Sequence, residues 1–199
     1  VAANAGPLDV HPQRGFVVGG FSAGSTFAAV ISQLARDEDM QPPITGQLLS
    51  LPSVLHRSVY PEQFKHELLS IDQNANAPVI NLKSLDIFEG QHFFHQIMTS
   101  IFAYIIQAFY KVPDWRDHRA SPLLHPNLSG LPKAYFQITG LDPLRDEAFL
   151  YEKLLKEKNT TTKADVYPGL PHTFWTFPGL RSSASWMVDT VNGVKWLLE

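Results

Sequence analysis

The sequence predicts an α/β fold, a mostly parallel, doubly wound sheet in a single domain over residues 1–199. Three observations predict it. Short apolar segments alternate with helical patterns through the last third of the chain. The run Gly15-Phe-Val-Val-Gly19 lacks in/out alternation, as suits a strand covered on both faces. A glycine-rich turn then leads from that strand directly into an amphipathic helix.

The elements follow in order. After the strand Gly15–Gly19 and the turn Gly19-Gly-Phe-Ser-Ala-Gly24, Ser25–Arg36 reads as a helix with Phe27, Val30, Ile31 and Leu34 on one face. Ile44–Leu51 reads as a second strand, closed by Pro52. Pro61 suits the first turn of a short helix through Leu69, and Ser84 suits the cap of another. Residues 91–110 are rich in Phe, Ile, Tyr and His and read as a packed helix. The stretch from about 56 to 112 is therefore a helical, cap-like or pocket-wall region. Ala134–Thr139 is a strand, Asp146–Lys158 a helix, Lys163–Tyr167 a strand, and Ser183–Leu198 a closing helix anchored by Trp186, Val194 and Leu197. Right-handed crossovers bring the carboxyl ends of such strands to one edge, where ligands bind.

Composition excludes several function classes. Hydrophobic residues are 44% and charged residues 18%, with a net charge of −3, a globular balance. The 16 Lys and Arg are scattered, which argues against nucleic acid as a partner. With no cysteine there is no disulfide, thiolate metal site or cysteine nucleophile. The most apolar run, Ile97–Phe109, is broken by Thr99, Ser100 and Gln107, so no membrane span is expected. No signal-peptide pattern opens the chain, and the expected location is cytoplasmic.

Gly20-Phe-Ser22-Ala-Gly24 matches the G-x-S-x-G nucleophile elbow. In that device a strand turns sharply into a helix and holds the serine in a strained conformation. The flanking glycines remove side chains that would collide. The amide of Ala23 then points at a developing oxyanion, aided by the positive end of the helix. A serine needs a base. His172, in Tyr167-Pro-Gly-Leu-Pro-His172, follows a strand and so shares the edge with Ser22. The base needs an acid. Asp142, in Thr139-Gly-Leu-Asp-Pro143, also follows a strand, although a turn residue ahead of a proline would read the same way. Asp146 reads as a helix N-cap or first-turn residue, and Asp165 lies inside a strand and points elsewhere. His92 and His95, three apart, read as packing or surface residues, since no metal-ligand pattern accompanies them. His11, His56, His66, His118 and His125 have no supporting context.

Gly20-Phe-Ser-Ala-Gly24, Gly140-Leu-Asp-Pro-Leu-Arg-Asp-Glu147 and Tyr167-Pro-Gly-Leu-Pro-His-Thr-Phe174 resemble three blocks of the hormone-sensitive-lipase-like branch of the α/β-hydrolases. Ser121-Pro-Leu-Leu124 and Gly130-Leu-Pro132 resemble the lead into the acid-bearing strand. The resemblance runs from about Gly15 to Leu198. It implies an α/β-hydrolase fold, the chain order Ser22, Asp142, His172 for nucleophile, acid and base, and hydrolysis of small-molecule carboxylic esters without metal or organic cofactor. Phe21, Phe174, Trp175, Phe93 and Phe94 are candidates to line the acyl pocket.

The chain departs from that family in one respect. Members carry a His-Gly-Gly block upstream of the elbow that supplies further oxyanion amides. This chain has no His-Gly pair, and its one Gly-Gly pair, Gly19-Gly20, belongs to the elbow. The expectation is an N-terminally truncated fold with Ala23 as the one nameable oxyanion donor. Loss of one such donor costs roughly 3–4 kcal/mol of transition-state stabilisation. The strand Gly15–Gly19 would then lie at an open edge, and a homo-oligomer covering that edge is expected. The alternative is a weakly active or inactive hydrolase-fold protein acting as an interaction or assembly module.

Overall fold

The computed structural model describes residues 4, 6–88, 114–177 and 179–199. Four parallel strands form one sheet: β1 (Val17–Phe21), β2 (Gly46–Ser50), β3 (Lys133–Leu141) and β4 (Thr162–Pro171), adjacent in chain order. The helices are α1 (Ala23–Asp37), the single turn α2 (Ser70–Gln73), α3 (Leu82–Phe88), α4 (Arg145–Glu157) and α5 (Arg181–Leu198). Parallel neighbours need crossover connections, and α1 and α4 supply them between β1 and β2 and between β3 and β4.

Helices cover both faces, as the predicted doubly wound layering requires. Ala134, Phe136 and Ile138 of β3 join Ala28 and Ala29 of α1 and Ala148, Tyr151 and Leu155 of α4 in one buried cluster. The alternate residues face α5. The Tyr135 hydroxyl lies 2.5 Å from Asp165 Oδ2 and 3.0 Å from the Asp189 carbonyl. Gln137 Nε2 donates to Thr190 Oγ1 at 2.9 Å and to the Tyr167 hydroxyl at 3.2 Å. Burial, then the hydrogen bond to Asp165, pushes the Tyr135 phenol far above its ordinary range, so it stays a donor. Close approach of α5 requires glycine at one point, because a Cβ on Gly193 would overlap the Tyr135 ring. Gly193→Ala is expected to destabilise the fold by about 1–3 kcal/mol through overpacking, read as a lower midpoint in urea.

Several elements differ from the sequence expectation. β1 is displaced toward the elbow, because its pairing with β2 ends at Phe21↔Ser50. The span of α1 matches, but its orientation does not. Of the predicted face Val30 is buried, but Phe27, Ile31 and Leu34 are exposed, and the small residues Ala28 and Ala29 meet the sheet. Small side chains let the helix approach the strands closely, whereas Phe27 and Ile31 would hold it off. The segment after Pro61 forms a 3-10 turn, Glu62–Phe64, in place of a helix through Leu69. At the start of α3 the cap is Asn81. Its Oδ1 accepts from the Ser84 amide at 3.1 Å, and Ser84 Oγ accepts in return from the Asn81 amide at 2.8 Å. Residues 91–110, with Phe93, Phe94, His92 and His95, lie outside the described residues.

β1 pairs on one side with β2, and among the described residues no strand pairs with its other edge. Two helices that contact β1 carry exposed apolar side chains, Phe27 and Ile31 on α1 and Met187, Val188 and Val191 on α5. No helix among the described residues is long and apolar enough to cross a membrane.

Candidate active site

The carboxyl ends of β1, β3 and β4 carry the three sequence-predicted groups. Ser22 sits between β1 and α1 with φ 53° and ψ −125°, a conformation that costs a non-glycine residue about 1–3 kcal/mol. The surroundings enforce it. The Ser22 amide donates to the Ser50 carbonyl at 2.9 Å, which binds the turn to the end of β2. The Ser25 hydroxyl lies 2.7 Å from the Gly20 carbonyl oxygen and 2.8 Å from that of Ser50, tying helix to turn. Gly20 cannot be replaced without moving the turn, since a Cβ there would overlap the Gly24 backbone. The Ser22 carbonyl accepts from the amides of Ser25 at 2.9 Å and Thr26 at 3.4 Å, so the Ala23 amide precedes the first intrahelical bonds. Such N-terminal amides lack an intrahelical acceptor and can receive an anion.

Asp142 and His172 meet because the sheet register brings them together. The last paired residues of β3 and β4 are Leu141 and Pro171, and the next residue of each strand is the acid or the imidazole. His172 Nδ1 lies 2.6 Å from Asp142 Oδ2, and each residue is only 1% exposed. Asp142 is fixed further. Thr139 Oγ1 donates to Oδ2 at 3.0 Å, and the Leu144 amide donates to Oδ1 at 3.0 Å. Three donors converge on two oxygens, the arrangement of an ionised, acceptor-only carboxylate. When a neutral His172 donates from Nδ1 to this carboxylate, its Nε2 is the acceptor nitrogen. That Nε2 is buried without a hydrogen-bond partner, so Ser22 and His172 are not bonded to each other here. Sequence reasoning missed Thr139 and Leu144 in this role. A threonine three residues before a turn aspartate is the one signal that could have pointed to the former.

Ser22 and Ala23 open onto a cavity of about 470 Å³, walled by apolar side chains including Leu55, Ile80 and Leu144. Its wall also carries a feature that sequence reasoning missed, His56 stacked on Trp115 with ring centroids 4.0 Å apart. Another concavity, about 500 Å³ beside Pro12, Gln41 and Thr45, has no titratable side chain in its lining.

Phe21 and Phe174 do not line the Ser22 cavity. Phe174 is fully buried and packs on Tyr167, with ring centroids 5.0 Å apart. Phe21 is 57% exposed and meets the ring of Trp175 edge-on at 6.0 Å. Successive strand residues face opposite sides, which separates Phe21 from the serine beside it. Asp165, as expected, serves elsewhere, accepting from Tyr135. Asp146 lies in the first turn of α4, where Oδ2 accepts from the Leu69 and Ser70 amides at 2.8 and 2.6 Å. Among the described residues no group of three or more His, Cys, Asp or Glu could hold a metal ion.

Comparison with known proteins agrees with this architecture. The model of a family described as having the alpha/beta hydrolase fold matches residues 1–176. An AB hydrolase superfamily protein of Schizosaccharomyces pombe is 35% identical over 200 residues, covering 100% of this chain and 53% of that protein. A versiconal hemiacetal acetate esterase of Dothistroma septosporum is 28% identical, covering 99% of this chain and 55% of its own length. The crystal structure of vibralactone cyclase superposes with a TM-score of 0.85 at 32% identity, over 99% of this chain and 53% of that one. The chain thus spans about half the length of the curated relatives it matches. A family match over residues 1–176, joined to a parallel sheet whose strands deliver serine, aspartate and histidine in that chain order, has one meaning: this protein belongs to the alpha/beta hydrolase family.

Proposed function

We propose that this chain acts as a carboxylic ester hydrolase, with Ser22 as nucleophile, His172 as base and Asp142 as the acid that orients it. The observation that carries the reading is the buried Asp142–His172 pair at 2.6 Å, with Nε2 left as a free acceptor. The strained conformation of Ser22 and its position in the cavity wall support it further. The esterase name of the Dothistroma relative supports carboxylic esters as the substrate class.

The steps follow from the atoms. Ser22 Oγ attacks the ester carbonyl carbon while His172 Nε2 accepts the hydroxyl proton. The tetrahedral oxyanion meets the Ala23 amide at the head of α1. Collapse breaks the C–O bond, and the imidazolium returns its proton to the departing alcohol. Water, deprotonated by the same nitrogen, attacks the acyl-enzyme and releases the carboxylic acid and free Ser22. Asp142 remains ionised throughout and stabilises the imidazolium. Hydrogen bonds of this kind are often loose before substrate arrives, which accommodates the open Ser22–His172 link.

The pH dependence has a definite sign. Nε2 accepts a proton only from a neutral imidazole, so acid removes the base. Hydrolysis of p-nitrophenyl acetate is expected to fall as acid protonates the catalytic base, approaching about tenfold per unit on the acid limb. A rate that stays flat from about pH 5 to 8 contradicts the role given to His172.

A further inference from the structure

β3 and β4 overrun the elbow. Phe21 is level with Ser50, Gln137 and Asp165 across the sheet, and Asp142 and His172 lie several residues beyond that line. The register that joins acid to base therefore carries both past the nucleophile, and the chain after His172 has to fold back. It does so at once. Thr173 takes the left-handed conformation with φ 51°, and Phe174–Thr176 form a 3-10 turn. That turn lays Trp175 against two elements. Its indole stacks on Trp186 of α5, with centroids 4.0 Å apart and planes 7° from parallel, and its ring also meets Phe21 edge-on. Phe21 is the residue before Ser22.

We propose that Trp175 is a positioning residue that sets the distance between the His172 imidazole and the Ser22 hydroxyl. The inference rests on the functional reading above. Asp142 fixes the orientation of His172 but lies on the same overrunning strand pair, so it cannot draw the imidazole toward β1. The contact between Trp175 and Phe21 links the histidine turn to the strand that ends in the elbow. Trp186 holds the indole from α5, and Phe174, wedged between Tyr167 and Trp175 with centroids 5.0 and 5.7 Å away, keeps the turn from opening. Trp175 is not among the residues that line the Ser22 cavity. It acts through the two groups it spaces, and a displacement of about 1 Å between such groups can cost about a hundredfold in rate.

The absence of cysteine supplies a clean probe. A thiol introduced by Ser22→Cys is the one thiol in the protein, and an adjacent imidazole favours its thiolate and extends alkylation by iodoacetamide to lower pH. Three comparisons test the proposal in the full chain. In the Ser22→Cys background, Trp175→Leu is expected to return the alkylation profile to that of an isolated thiol. In the native background, Trp175→Leu is expected to lower kcat for p-nitrophenyl acetate at least about tenfold with KM within about twofold, and Trp175→Phe to recover most of the loss. Trp186→Leu, which leaves the Phe21 contact in place, is expected to show a smaller loss of the same kind. An alkylation profile indifferent to Trp175→Leu in a protein that keeps its thermal midpoint overturns the proposal. So does a loss that falls equally on Trp175→Phe and Trp175→Leu. If the native chain hydrolyses no ester while the alkylation profile of the Ser22→Cys variant still depends on Trp175, the functional reading fails and the spacing role stands.

Discussion

Ser22→Ala is expected to remove nearly all turnover of p-nitrophenyl acetate, a loss of up to about a millionfold in kcat. Alanine keeps the Cβ and the backbone, so the elbow retains its φ of 53° and the same hydrogen bond from the residue 22 amide to the Ser50 carbonyl. Folding stability should therefore change little, which separates loss of chemistry from loss of structure. The Ala23 amide and the cavity remain, and substrate analogues should bind with unchanged affinity. Steady-state kinetics with a far-UV circular dichroism melt check both halves. A residual rate within about tenfold of the native chain would remove Ser22 from the role of nucleophile.

Asp142→Asn is expected to lower kcat by about 10⁴-fold with substrate binding preserved. The reason lies in the hydrogen-bond directions. Asp142 Oδ1 accepts from the Leu144 amide and Oδ2 accepts from Thr139 and from His172 Nδ1. An amide can keep its oxygen on the Leu144 side, which puts its NH₂ at the position of Oδ2. The Thr139 hydroxyl can turn to accept. The imidazole must then present a bare Nδ1 to the amide and carry its proton on Nε2. That tautomer cannot take the serine proton. The variant should fold, because each polar atom of the Asp142 cluster retains a partner. The pH–rate profile of its residual activity should lose the native acid limb. A loss smaller than about tenfold would mean that Asp142 does not govern the tautomer.

Much of the fold is legible in the sequence because its signals are local. The turn from β1 into α1 shows itself through glycine spacing, and the alternation of strand and helix after residue 133 through periodicity. The contact between Asp142 and His172 is legible for a different reason. Two loops that follow neighbouring parallel strands must share an edge, and the register Leu141↔Pro171 puts the next residues side by side. What periodicity does not carry is the identity of the packing partner. The apolar stripe Phe27, Val30, Ile31, Leu34 reads as one face of α1, but of these Val30 is buried while the other three are exposed, and Ala28 and Ala29 meet the sheet. Likewise Phe21 and Phe174 stand beside the motifs, yet their rings space the elements and do not line the Ser22 cavity. The His56–Trp115 stack on the cavity wall joins two segments far apart in the chain, both outside regular elements, and nothing local in either announces the other.

Activation of the Ser22 hydroxyl by His172 is tested most directly by covalent capture. Incubation with a fluorophosphonate followed by intact-mass and peptide mapping is predicted to give a single adduct on Ser22, formed by the native chain and suppressed in His172→Ala. An unmodified protein, or an adduct on any other residue, would contradict the account.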